Sequence, residues 1–318
     1  MPPTSIGLLR FNESIHSNYT RQNYHYHLRK FMEYTGIKSY DKMLEMNQRS
    51  IQLNLERYLI MLKSKTNPNS IPTMFLGLRH FFVMNRVSVD WDLIRKMYPQ
   101  KTLQSGTRAW TKADIQKILL AAANMRDIAL IRFLASTGAR IGSIEHDLQI
   151  KHLSLMPNDC MAIKIYAETI DEYWAFLTPA SSNSLRQYIE KRALDGEDIV
   201  EQTPLFRNLY QKSSVHNVRQ LRWSGARSVV YRLVQKANLR RAKSGKRYDI
   251  QIDHGFRKYF NTVLKLNPTV NNNIAEKLMG HKNGLDGTYF RPDRDQCFWE
   301  FQKAVTDLEI CPEAALGQ

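Results

Sequence analysis

Apolar residues return at helical spacing through most of the chain. Between Ser17 and Tyr34 the positions Tyr19, Tyr24, Leu28 and Phe31 predict a helix with Ser17 as its N-cap, and Asp41 is placed to cap a short helix reaching Met46. Ser50 to Lys63 is amphipathic, with Ile51, Leu55, Tyr58, Leu59 and Leu62 on one face, until Asn67-Pro68-Asn69 breaks it. Pro72 opens a further helix running to about Val87, and Trp91 to Met97 gives one more. The first ten residues carry no such pattern and are expected to be disordered. No strand is expected in this half.

Tyr98 to Ala109 lacks apolar periodicity and holds Pro99 and Gly106, which marks a linker. Thr111 and Asp114 then signal a helix start. Helices are predicted at about 112–123 and 126–136, the second closed by Gly138. The period next changes to two: Met161 to Tyr166 and Tyr173 to Leu177 read as strands joined across Glu168 to Asp171, and Pro179 ends the hairpin. Ser182 to Leu194 and Ser224 to Ala237 return to helix, and the remainder is mainly helical. The expected fold class is therefore mainly α with a small β-hairpin, in two domains: 1–97, a linker 98–110, and 111–318.

Charge changes the picture. A net charge of +16 over 318 residues points to a polyanionic partner, of which nucleic acid is the commonest. Between Gln202 and Tyr248 there is no acid, while Arg222, Arg227, Arg240, Arg241, Lys243, Lys246 and Arg247 supply candidate contacts to phosphates or base edges. Three cysteines at no metal-like spacing suggest reduced thiols, and no acidic cluster or Cys/His set suggests a metal. The most apolar stretch, 115–135, is interrupted by Lys117, Arg126, Asp127 and Arg132, so no membrane partner is expected and the cytoplasm is the expected compartment.

Near the end of the chain Tyr289 follows a turn containing Gly280, His281, Gly284 and Gly287. A phenol with a reference pKa near 10 costs about 4 kcal/mol to ionise at pH 7, so a reacting tyrosine needs cations and a base around it. Upstream, Thr137-Gly138-Ala139-Arg140 and His254-Gly255-Phe256-Arg257 supply candidates. Each motif alone is as well explained by a helix cap or a tight turn.

Their order resembles the tyrosine recombinase (integrase) family. Ser136 to Ile141 is similar to that family's first arginine box and His254 to Phe260 to its second. Leu278-Met279-Gly280-His281 with Tyr289-Phe290-Arg291-Pro292 is similar to its archaeal branch. The likeness runs from about Thr111 to Leu308, while the N-terminal unit matches a core-binding DNA-binding domain in size and composition only. The resemblance implies a catalytic domain at 111–318 that cuts and rejoins double-stranded DNA through a 3′-phosphotyrosyl link, with no cofactor. Tyr289 would attack the phosphate and Arg140 and Arg257 would clamp its oxygens. His281 would donate a further hydrogen bond, and His254 would act as general base. A lysine on the hairpin, Lys164, would protonate the leaving oxygen, with Lys151 upstream of the hairpin as the alternative.

Two departures from the family stand in the sequence. Ser143 occupies the position of an expected buttressing glutamate, with Glu145 nearby, and the hairpin turn has no lysine. Asp253 either orients His254 or caps its helix. The terminal helix around Phe298, Trp299 and Phe301 docks either on a neighbouring protomer or on its own domain. The implied assembly is a homotetramer on DNA from a free monomer or dimer, and the implied role is integration or excision of a mobile element. A dimer-resolving recombinase, a type IB topoisomerase-like nicking and closing enzyme, and a non-catalytic DNA-binding protein are the competing readings.

Overall fold

The computed structural model describes residues 5–102, 108–146, 148–239, 243–244, 247–282 and 289–310, with backbone only at 243, 244 and 247. Internal packing divides the chain into two compact units, 1–104 and 105–318. The first is helical among its described residues: α1 (Ile6–Glu13), α2 (Asn18–Thr35), α3 (Tyr40–Leu44), α4 (Gln48–Lys65), α5 (Ile71–Met84) and α6 (Trp91–Lys96). Ser17 caps α2 by accepting from the Thr20 amide, and Pro72 sits in the first turn of α5. The stripe expected on α4 is buried, against Phe31, Phe75, Phe81 and Phe82.

Two expectations fail here. Residues 6–13 are helical rather than disordered because Phe11 is fully buried, with its ring against Phe81, Tyr24 and His25. The cap of α3 is Ser39, which accepts from the Lys42 amide, and Asp41 lies inside the first turn.

The second unit opens with α7 (Lys112–Leu120), begun by a capping box of Thr111 and Asp114, and α8 (Met125–Thr137). A three-stranded antiparallel sheet follows in the order β1 (Leu153–Leu155), β2 (Met161–Ile165), β3 (Tyr173–Leu177). The hairpin pairs Ile165 with Tyr173 and Lys164 with Trp174, and β1 is a strand the sequence pattern missed. Then come α9 (Pro179–Leu194), α10 (Trp223–Lys236), a small hairpin of β4 (Lys243–Ser244) and β5 (Arg247–Tyr248), α11 (His254–Leu266), α12 (Asn272–Leu278), α13 (Arg294–Gln302) and α14 (Val305–Leu308). Pro179 therefore starts α9 as well as ending the strand before it, because its fixed φ suits a first helical turn. The rings of Phe298 and Phe301 on α13 lie 5.5 Å from Phe176, so α13 docks on its own unit. Of the glycine-rich turn expected before Tyr289, Gly280 and His281 are described, with Gly280 left-handed at φ +62°, while 283–288, which hold Gly284 and Gly287, lie outside the described residues.

No described helix is long and apolar enough to cross a membrane.

Candidate active site

Helix α8 ends where Gly138 takes a left-handed conformation, φ +57°, and a Cβ there would stand 2.5 Å from the Phe260 ring of α11. Only glycine satisfies both demands, so the end of α8 lies directly on α11. Ser136 fastens the same helix end to the hairpin: its hydroxyl donates to the Phe176 carbonyl at 3.1 Å and accepts from the Thr178 amide at 2.8 Å. The chain leaves this junction through Arg140, which is exposed.

Arg257, one turn into α11, is only 8% exposed. It donates to the Gly138 carbonyl at 2.8 Å, to the Met279 carbonyl, and toward His281 Nε2 at 2.9 Å. Its acidity is raised by burial first and by the charge of Arg140 second. Among the described residues no carboxylate bonds either guanidinium. Three of the five N–H groups of Arg257 are so used, which leaves donors of a planar fork for an anion.

Two tyrosines of the hairpin complete this wall. Tyr173 lies beside Arg257 without a well-formed hydrogen bond, and burial pushes its hydroxyl up to about 12 against the pull of Arg257. Tyr166, in a left-handed conformation at the end of β2, is also raised by burial and feels Arg140 and Arg257. A Cβ at Gly280 (φ +62°) would meet the Tyr173 ring at 2.5 Å, so this glycine is what lets the loop carrying His281 close on the hairpin.

The other expected residues stand around this group in different ways. His254 is exposed at the start of α11 and lines a cleft of about 590 Å³ with Arg227, Tyr231, Tyr248 and Asp253. Asp253 occupies the N-cap position but its side chain makes no capping bond, so it does not serve as the cap of α11. Lys164 lies 3.1 Å from Glu172 and 5.1 Å over the Trp174 ring. By strand alternation it points to the sheet face opposite Tyr173. Lys151 faces Glu168 at 3.6 Å. Ser143 is fully buried, and Glu145 instead accepts from the Trp223 amide at 3.0 Å, tying the Arg140 turn to α10.

Tyr289 is 82% exposed and makes no hydrogen bond among the described residues. Arg222 and Arg227 are exposed at the start and on the outer face of α10. Arg240, Arg241 and Lys246 lie outside the described residues, as do the side chains of Lys243 and Arg247. No metal-holding group of His, Cys, Asp or Glu occurs among the described residues.

Sequence reasoning missed Tyr166, Tyr173 and Glu276, and it missed Lys282, whose ammonium reaches back to Asp171 and the Ile170 carbonyl at the hairpin turn. Glu276 stands five positions before His281, a spacing with no meaning until the end of α12 is known.

The chain has the fold of the tyrosine recombinases. A Tn1549 transposon integrase in complex with transposon right-end DNA aligns over 93% of this chain and 98% of its own, with a TM-score of 0.62 at 14% identity. A lambda integrase(75-356) dimer on a COC′ core site aligns over 91% and 93% (TM-score 0.59, 12% identity). The XerH recombinase bound to its difH substrate aligns over 88% and 77% (TM-score 0.58, 18% identity). No family model matches the sequence, and no curated protein matches it.

Proposed function

We propose that the protein is a site-specific DNA recombinase that cuts and rejoins strands through a tyrosyl–phosphate link. The observation that carries the reading is that Arg257 bonds His281 and feels the charge of Arg140, three residues from distant segments, while no described carboxylate bonds either arginine. Such a wall suits a phosphate whose charge grows in the transition state.

In this reading the Tyr289 oxygen attacks phosphorus while the bond to the 5′-oxygen breaks, and His254 takes the phenolic proton. The new phosphodiester conserves the energy of the old one, so rejoining needs neither ATP nor metal. The departing 5′-oxygen takes a proton from Lys164 or Lys151. Each is ion-paired to an acid of the hairpin, Glu172 or Glu168, and must exchange that partner for DNA. The exposure of Tyr289 fits a nucleophile that swings onto DNA.

The helical unit 1–97 serves as the core-binding domain, joined by 98–110 to the catalytic domain 111–318. The archaeal-like motif Leu278 to His281 supports a place in that branch, and integration or excision of a mobile element as a tetramer on DNA in the cytoplasm is the role we assign.

The test is incubation with a nicked suicide DNA substrate in EDTA. A covalent protein–DNA adduct is expected from the wild type and none from Tyr289→Phe. Failure of the wild type to form an adduct, or an adduct that persists in Tyr289→Phe, overturns the proposal.

A further inference from the structure

The wall that holds Arg257 extends behind it. Arg257 Nη2 meets His281 Nε2 at 2.9 Å, His281 Nδ1 meets Glu276 Oε2 at 2.5 Å, and the other Glu276 oxygen pairs with Lys265 near the end of α11. A guanidinium nitrogen only donates hydrogen bonds. His281 Nε2 must therefore present a lone pair, and the ring proton must sit on Nδ1, where the carboxylate receives it. The His281 amide also donates to the Glu276 carbonyl at 3.0 Å, which closes the turn after α12 and holds the ring over the carboxylate.

We propose that Glu276 is a positioning residue: it fixes the proton of His281 on Nδ1, so that Nε2 accepts from Arg257 and aims the guanidinium at the bound anion. The consequence for the mechanism rests on the recombinase reading, and it changes one role within it. In the free protein His281 supports the arginine instead of donating to phosphate, because its Nε2 is already an acceptor. A doubly protonated ring would set an N–H against the N–H groups of Arg257 and lose this bond. Lys265 balances the charge of Glu276, so the carboxylate can hold the imidazole proton without accepting it.

Ring-nitrogen NMR on the full chain tests the pairing without any reference to catalysis, with His281→Gln used to assign the signal. The Nδ1–H tautomer is expected at His281 in the wild type, with an Nε2–H form emerging in Glu276→Ala. An Nε2–H or doubly protonated ring in the wild type near neutral pH, or a tautomer unchanged in Glu276→Ala, overturns the proposal.

A double-mutant cycle on adduct formation tests the consequence. Glu276→Ala should slow cleavage about tenfold or more in the wild-type background and have no further effect in His281→Ala. Glu276→Gln, whose amide oxygen still accepts from Nδ1, should recover most of the rate. Additive effects of the two alanine substitutions overturn the positioning role. A wild type that forms no adduct would defeat the recombinase reading and leave the spectroscopic test of Glu276 standing.

Discussion

Arg207 and Arg257 are both buried arginines of the same unit, and they are held in opposite ways. Arg207, 1% exposed, shares the Glu197 carboxylate with Arg192: its Nη1 lies 2.5 Å from Oε2, and Arg192 Nη2 lies 2.5 Å from Oε1. Carbonyls of Pro204, Leu205, Val215 and Asn217 take further donors of the pair. Among the described residues Arg257 bonds carbonyls and an imidazole but no acid, and it feels the charge of a second arginine, Arg140. A buried charge is costly unless paired. The first site has settled that cost internally and is a structural clasp. The second leaves part of its charge unpaired among the described residues, which is what the proposed phosphate site requires.

Breaking the clasp should give the larger effect. Glu197→Ala leaves two buried guanidiniums facing each other, and a loss of about 3–5 kcal/mol of stability is expected in urea unfolding. The pH dependence follows from the same pair. Burial alone would raise the Glu197 carboxyl, but the bonds from Arg192 and Arg207 outweigh it and hold it below its ordinary value. A folded-state pKa below the unfolded one gives stability that is present above the carboxylate range and is lost as pH falls through it. Wild-type stability should therefore fall more steeply in acid than that of Glu197→Ala, and equal slopes would remove the clasp from the account.

Arg257→Lys should do the reverse. A lysine cannot reproduce the planar fork, so adduct formation should drop by about 100- to 1000-fold. Thermal unfolding should change less than in Glu197→Ala, since the substitution takes donors from buried carbonyls rather than stripping the counter-ion from a buried charge. If this variant unfolds as readily as Glu197→Ala, the two arginines are alike and the contrast is wrong. A smaller effect sharpens it: sulfate or a short DNA duplex should raise the melting temperature of the wild type more than that of Arg257→Lys. Equal shifts would mean the anion binds elsewhere.

The difference between these arginines is invisible in the sequence. Glu197 lies five positions before the acid-free interval that contains Arg207, so the run reads as a uniform basic face until folding brings the acid inside. The box that holds Arg257 stands out because its order with Arg140, His281 and Tyr289 resembles that of the tyrosine recombinases, and the fold does bond Arg257 to His281. The long helices were legible too, since α4 and α10 bury their apolar stripes in full. Short elements were not. Helix α1 is held by the burial of Phe11 against α2 and α5, and β1 is three residues long with its register set by β2. The positioning of His281 by Glu276 depends on where α12 stops, which no period in the sequence announces.

The basic run gives the smallest effects, and the same contrast orders them. Arg232 on α10 pairs with the buried Asp127, while Arg222 and Arg227 are exposed with no carboxylate bonded to them among the described residues. An arginine already neutralised by a protein acid releases few counterions from DNA, whereas one that meets a phosphate directly lowers the salt slope by about 0.9 when removed. Neutralising Arg222 or Arg227 to Gln should therefore flatten the plot of log affinity against log salt by about one unit each, for specific and non-specific DNA alike. The double change at Arg240 and Arg241 should flatten it by about one unit for each phosphate that these two side chains neutralise. Arg232→Gln should leave the slope nearly unchanged and lower stability instead, because it strips a partner from Asp127. A slope change at Arg232 equal to that at Arg227 would show that DNA displaces the Asp127 pairing, and would place Arg232 among the residues that touch DNA.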